Sequence, residues 1–140
     1  MEFKREALHL WVQHFQEVAI DQAAVPLDID YATYDALDAQ GMLHVIAARS
    51  EGEIVGYWLG IIKPHLHNVS TLWAFTDVYF IAPAFRLGRT AMRLFQFAEA
   101  SLKARGVVKV TTATKTHLDM SRLFDRMGWN RTEITYTKVI

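Results

Sequence analysis

The chain has 140 residues, 51% of them hydrophobic, with 15 basic side chains balanced by 15 acidic ones and no cysteine. Zero net charge speaks against a general binder of nucleic acid or of a membrane surface, which needs a basic excess. Without thiols there are no disulfides, no thiolate zinc sites and no Cys nucleophile. The length suits one domain with one core, taken as residues 1–140, and the composition is that of a chain that folds. Lys63 and His65 interrupt the best apolar run, and the opening MEFKREAL lacks the apolar core of a signal peptide, so a cytoplasmic location is expected.

In residues 2–20, Phe3, Ala7, Leu10, Trp11, Phe15, Val18 and Ala19 recur at helical spacing. They predict an amphipathic helix that either covers a sheet or walls an acceptor site. Asp30 is placed to cap a short helix over 31–40, which Gly41 stops. Residues 42–49 read as a strand, 50–53 as a turn, 54–62 as a second strand and 63–68 as a loop. Residues 72–81, aromatic and β-branched, predict a third strand. No helix separates it from the second, so the pair is antiparallel.

Pro83 breaks the third strand, and a turn containing Gly88 leads into a helix marked by Ala91, Leu94, Phe95, Ala98 and Leu102. Glu99 and Lys103 occupy its wet side, and Gly106 ends it. Residues 107–114 predict a strand parallel to the third, because a helix joins them. A short helix over 118–127 carries Met120, Leu123, Phe124 and Met127 on one side. Gly128 ends it, and residues 133–140 predict a final strand whose exposed edge would suit a homodimer.

The strand–turn–helix around Pro83 makes an anion cradle on physical grounds alone. The first N–H groups of a helix have no internal partner, and the macrodipole is positive there. Arg86 and Arg89 add charge suited to phosphate oxygens.

The run APAFRLGRTAMRLF resembles the acyl-CoA-binding segment of the GNAT-type N-acetyltransferases, whose pattern is a strand, a proline, then Arg/Gln-x-x-Gly-x-Gly/Ala opening a helix. Pro83 and Arg86 fit it, and Ala91 fits the last small position; Arg89 stands at the middle position, with Gly88 displaced by one. The hairpin MLHVIAARSEGEIVGYWLGII is similar to the pair before the family's cofactor strand, and the order of elements matches beyond about residue 42. HLD-x-SRLFDRMGW near the end looks like small members of the family from bacteriophages.

The resemblance implies an α/β (α+β) fold. It has a GNAT-like mixed sheet, helices on both faces, antiparallel N-terminal strands and a splayed parallel pair. It implies acetyl-CoA as acyl donor, gripped by Phe80, Ile81, Arg86, Leu87, Gly88, Arg89, Thr90 and Ala91. The pantetheine arm would lie between residues 78–81 and 110–114. The acceptor would be a primary amine of a small molecule, peptide or protein. The other class of function is a catalytically silent GNAT-fold binding or structural module, with or without CoA bound.

Acetyl transfer needs a held thioester, an amine that loses its proton and a stabilised thiolate. Asp77 stands where many family members carry a strand Glu that activates the amine, and burial among Phe75, Val78, Tyr79 and Phe80 would make it a better proton acceptor. The alternative is a strand Asp bonded to a neighbouring backbone or to Thr76. The position matching the family's proton-donating Tyr is Phe124, and the family's Asn is His117. The thiolate's proton then falls to His117, Tyr79, Tyr136 or water, unless no protein acid is used; His117 is otherwise a cap or surface residue. His65 and His67 invite a metal, but no third ligand stands at a diagnostic spacing, and the expectation is none. Tyr57, Trp58, Trp73 and Phe75 either shape an acceptor pocket or pack the core, and Lys115 meets either phosphate or solvent.

Overall fold

The computed structural model describes residues 3–140. Glu2, counted in the first helix, lies outside the described residues. The elements are α1 (Phe3–Val18), α2 (Tyr31–Ala39), β1 (Leu43–Ser50), β2 (Glu53–His65), β3 (Asn68–Ile81), a 3-10 turn (Pro83–Phe85), α3 (Thr90–Ala104), β4 (Val107–Thr111) and α4 (Ser121–Arg126). The strands form one sheet in the order β1-β2-β3-β4, antiparallel except for the parallel β3–β4 pair.

Two cores sandwich the sheet. On one face Trp58, Ile62, Ala74 and Ile81 pack against Leu94, Phe95, Ala98 and Leu102 of α3 and Phe124 of α4. On the other, Tyr57, Leu59 and Phe80 meet Ala7, Leu10 and Trp11 of α1, with Tyr31 and Tyr34 of α2 alongside. Strand β2 is buried from Ile54 to Gly60 because both faces are covered. The Asp30 cap is present, its Oδ1 accepting from Thr33 N at 2.9 Å, and Gly41 turns the chain at φ +68°.

The structure corrects several boundaries. Strands β2 and β3 run through the predicted loop 63–68 and leave only Leu66 and His67 as the turn. Ring contacts outweigh the loop-like composition: His65 lies 4.8 Å from the Trp73 ring, and the Lys63 ammonium sits 5.4 Å over Phe75. Strand β4 ends at Thr111, short of residue 114. Helix α4 starts only at Ser121, since Asp119 bonds the Ser121 backbone N–H and hydroxyl at 2.9 and 2.8 Å and holds the preceding residues in a turn. Glu99 is not on a wet face: it is half-buried and accepts a hydrogen bond from Trp129 Nε1. No strand forms over 133–140; residues 131–140 are exposed and have no ladder partner, without which β-forming side chains do not make a strand. No helix among the described residues is long and apolar enough to cross a membrane.

Trp58, fully buried, packs its ring over Gly60, where an added Cβ would fall 2.2 Å from it. Gly60→Ala is therefore expected to destabilise the fold by about 2–3 kcal/mol through overpacking. Urea unfolding measures this, and an unchanged midpoint would contradict the packing described.

Candidate functional site

Strands β3 and β4 are paired only from Leu72 to Phe75 and from Val107 to Thr111. Beyond Phe75 and Thr111 they part, so residues 76–81 have no ladder partner on that side. Just past the last pair, the hydroxyls of Thr76 and Thr112 are buried without a hydrogen-bond partner. An unpaired buried hydroxyl costs about 1–3 kcal/mol, so two of them flanking one fork mark a place suited to a polar ligand. Tyr79 spans the gap further out, its hydroxyl donating to Ala113 O at 2.8 Å, and its ring packs edge-on against Phe95. Burial pushes the Tyr79 hydroxyl above its usual range and keeps it protonated.

At the open end, the chain leaves β3 through Ala82 and Pro83 and enters α3 at Thr90. Gly88 adopts φ +82°, a left-handed turn that favours glycine, while Arg89 precedes the helix with no side-chain cap bond. Leu87, Gly88 and Arg89 are exposed, Thr90 and Ala91 half-buried, and Phe80 and Ile81 buried. Arg86 is engaged within the protein. Its Nε donates to Ile81 O at 2.7 Å, and its two terminal nitrogens hold both oxygens of Glu17 at 2.5 and 2.7 Å. The guanidinium also lies 5.2 Å over the Phe80 ring. Glu17, held below the usual carboxylate range chiefly by that bond, ties α1 to the loop. His117 is exposed and precedes α4, its Nε2 3.2 Å from Glu17 O.

Asp77 lies on the α1–α2 side because of a β-bulge. Leu59 pairs with Val78 and Gly60 with Thr76, which leaves Asp77 as the extra residue. The bulge exchanges the two faces of β3: Ala74 and Tyr79 share the α3 side, whereas Val78 and Phe80 point to α1. Asp77 is exposed, so the burial expected from its apolar neighbours is not found; its carboxylate accepts from the Tyr34 hydroxyl. Burial, then the Asp77 carboxylate, hold Tyr34 well above the usual tyrosine range. Beside it, the Tyr57 hydroxyl and His14 Nδ1 are hydrogen-bonded at 2.8 Å, and the imidazole stacks on Phe80 at 4.8 Å.

The structure thus gathers Asp77 with Tyr34, Tyr57 and His14 at one face of the fork. Trp58 is core, Tyr57 is buried with its hydroxyl at the site, Trp73 and Phe75 stack beside His65, and Tyr136 is exposed. His14, Glu17, Tyr34 and Thr112 are additions to the sequence reading, while Thr76, read there only as a bonding partner for Asp77, stands at the fork and leaves Asp77 to Tyr34. The spacing of His14 and Glu17 on one side of α1 is the only signal that points to any of them. Among the described residues no group of three or more His, Cys, Asp or Glu could hold a metal ion.

A mixed sheet whose parallel strands part beside a strand–turn–helix is the frame of this α/β fold. The model of the acetyltransferase (GNAT) family matches residues 5–129, and the chain belongs to that family. No curated protein sequence matches it. Its fold is similar to that of a ribosomal-protein-alanine N-acetyltransferase from Brucella melitensis biovar Abortus 2308, with TM-score 0.70, 16% identity and coverage of 98% of this chain and 93% of that one. It is similar to a transcriptional regulator from Bacillus halodurans C-125, with TM-score 0.75, 18% identity and coverage of 96% and 93%. A third is an aminoglycoside acetyltransferase from an uncultured soil metagenomic sample, with TM-score 0.73, 14% identity and coverage of 96% and 86%. None of these three is described as a bacteriophage protein, and the bacteriophage likeness gains no support from them.

Burial pushes the His14 pKa down to about 4, with Lys115 and Arg86 acting the same way and Glu17 opposing. The unfolded chain takes up this proton near the ordinary 6.5 and the folded one only near 4, so stability falls as pH drops through that window. Between pH 7 and about 4.5 the parent chain is expected to lose roughly 2 kcal/mol more than His14→Gln. Denaturant melts at both pH values check this; equal losses would show that His14 is not held neutral.

Proposed function

We propose that this protein, as one acyltransferase domain over residues 1–140, is an N-acetyltransferase that moves an acetyl group from acetyl-CoA to a primary amine. The observation that carries this is the parting of β3 and β4 after Phe75 and Thr111, with two unpartnered hydroxyls at the fork and a helix N-terminus at its open end. Bound acetyl-CoA would supply the acetyl group as a thioester. Unpaired backbone groups of β3 around Phe80 and Ile81 would hold the pantetheine amides and the thioester carbonyl. The turn at Leu87, Gly88 and Arg89, with the first N–H groups of α3 at Thr90 and Ala91, would receive the diphosphate. Arg89 meets it directly, while Arg86 braces the loop through Ile81 O and Glu17.

The acceptor amine would enter on the α1–α2 side, where Asp77 faces Tyr34. A cationic amine is drawn to the carboxylate, and Asp77 takes its proton while the Tyr34 hydroxyl holds the other carboxylate oxygen in place. Tyr79, already in the gap and kept protonated by burial, would turn its O–H from Ala113 O to hydrogen-bond and stabilise the departing thiolate. His117, at the surface against Glu17, positions α1.

The silent-module reading is favoured by one observation, the burial of Phe124 among Phe95, Tyr79 and Trp129, where it supplies packing only. Calorimetric CoA binding, run beside acetyl-CoA turnover on an amine panel, separates the two. Binding with turnover supports the enzyme, binding without turnover supports the module, and the absence of both overturns the enzyme. Asp77→Asn is expected to lower kcat about 100-fold with CoA affinity unchanged; an unaffected rate removes Asp77 as base. Arg89→Glu is expected to weaken CoA binding at least ~10-fold, because a like charge then faces phosphate.

A further inference from the structure

Helix α1 carries an imidazole to the mouth of the fork. His14 lies one turn before Glu17, on the same side of the helix. Glu17 grips Arg86 in the loop after β3, and its carbonyl meets His117 in the segment after β4. The last turns of α1 therefore cross from one side of the opening to the other. His14 takes its place there by stacking on Phe80, with ring centroids 4.8 Å apart and planes 19° from parallel. Phe80 belongs to the stretch of β3 that β4 leaves unpaired.

The tautomer of that imidazole follows from its neighbour. Tyr57 is 1% exposed, and its hydroxyl has one partner among the described residues, His14 Nδ1 at 2.8 Å. An enclosed hydroxyl must place its hydrogen on an acceptor. Were Nδ1 to carry the ring proton, the Tyr57 O–H would find none. So Tyr57 donates, Nδ1 accepts, and the single proton of the neutral ring sits on Nε2. That N–H has no partner among the described residues, and it is not shut away as the indole nitrogens of Trp11 and Trp58 are. The surroundings keep the ring neutral: burial lowers its pKa to about 4, with Glu17 opposing and Lys115 and Arg86 assisting. A neutral imidazole with a free N–H is an electrophile suited to a carbonyl oxygen.

We propose that His14 is a catalytic hydrogen-bond donor, its Nε2–H meeting the thioester carbonyl oxygen from the α1 side while a backbone N–H of β3 meets it from the strand. This rests on the acetyltransferase reading. As the amine nitrogen bonds to the carbonyl carbon, the C=O pair moves onto oxygen, and both donors face the charge that collects there. The pair then reforms C=O as the C–S bond breaks and its electrons leave on sulfur. The amine proton goes to Asp77, and His14 neither gains nor loses one. Tyr57 is a positioning residue that fixes the donor on Nε2.

Imidazole proton–nitrogen correlation spectra of the parent chain at neutral pH are expected to show the His14 proton on Nε2; a proton on Nδ1 overturns the proposal. That resonance should move on adding acetyl-CoA and stay on adding S-ethyl-CoA, in which a methylene replaces the carbonyl, and an equal response to both overturns it too. Calorimetry with the same two ligands extends the test to His14→Phe/Tyr57→Phe, which keeps the ring stack and leaves no orphaned hydroxyl. The preference for acetyl-CoA is expected to shrink about fivefold and kcat to fall about 100-fold. His14→Gln, whose amide accepts from Tyr57 and still donates, is expected to retain most of both. The spectra need only the parent chain, so the test holds should the double variant fail to fold. A double variant with unchanged preference and rate overturns the role of His14 alone, because the parent still binds and turns over. A parent that binds neither ligand overturns the acetyltransferase reading and this role together.

Discussion

Two backbone ladders cannot be satisfied by the same strand edge once its neighbour turns away. In this protein β4 leaves β3 after four paired positions, and the candidate site is arranged around the groups left behind. The hydroxyls of Thr76 and Thr112 sit unpartnered at the fork, Tyr79 reaches across further out, and the left-handed turn at Gly88 brings the first amides of α3 to the open end. A fully zipped pair would gain hydrogen bonds and lose the slot. The rest of the sheet offsets that loss, with β2 buried on both faces and each face packed by its own pair of helices.

Helix α1 does more than cover a sheet. Its Ala7, Leu10 and Trp11 supply the packing, while the turn that follows supplies His14 and Glu17 to the site. Glu17 occupies Arg86 on both terminal nitrogens and its carbonyl meets His117, so one helical turn connects the loop after β3 with the segment after β4. The arginine that looked free to meet phosphate is thereby a brace, and the charge left facing solvent is Arg89.

Much of the fold was legible because periodicity reports burial directly. The stripe Leu94, Phe95, Ala98 and Leu102 and the Asp30 cap are local signals, and both helices stand where those signals put them. What was not legible depends on neighbours. Residues 63–65 became strand because rings across the hairpin stack, and the tail did not, since strand propensity without a partner makes no strand. In the site, the strand–turn–helix could be read from Pro83 and Gly88. The company of Asp77 could not, because Tyr34 and His14 come from helices 43 and 63 residues away in the chain.

The extra residue in β3 has a consequence for comparing this chain with others. On either side of Asp77 the strand obeys opposite rules for which side chains point inward, so Ala74 and Tyr79 are neighbours in one core although their numbers differ in parity. A relative without the insertion must be aligned with a gap there. Omit the gap, and Trp73 and Phe75 are assigned to the interior while the aspartate's counterpart is sought on the wrong surface.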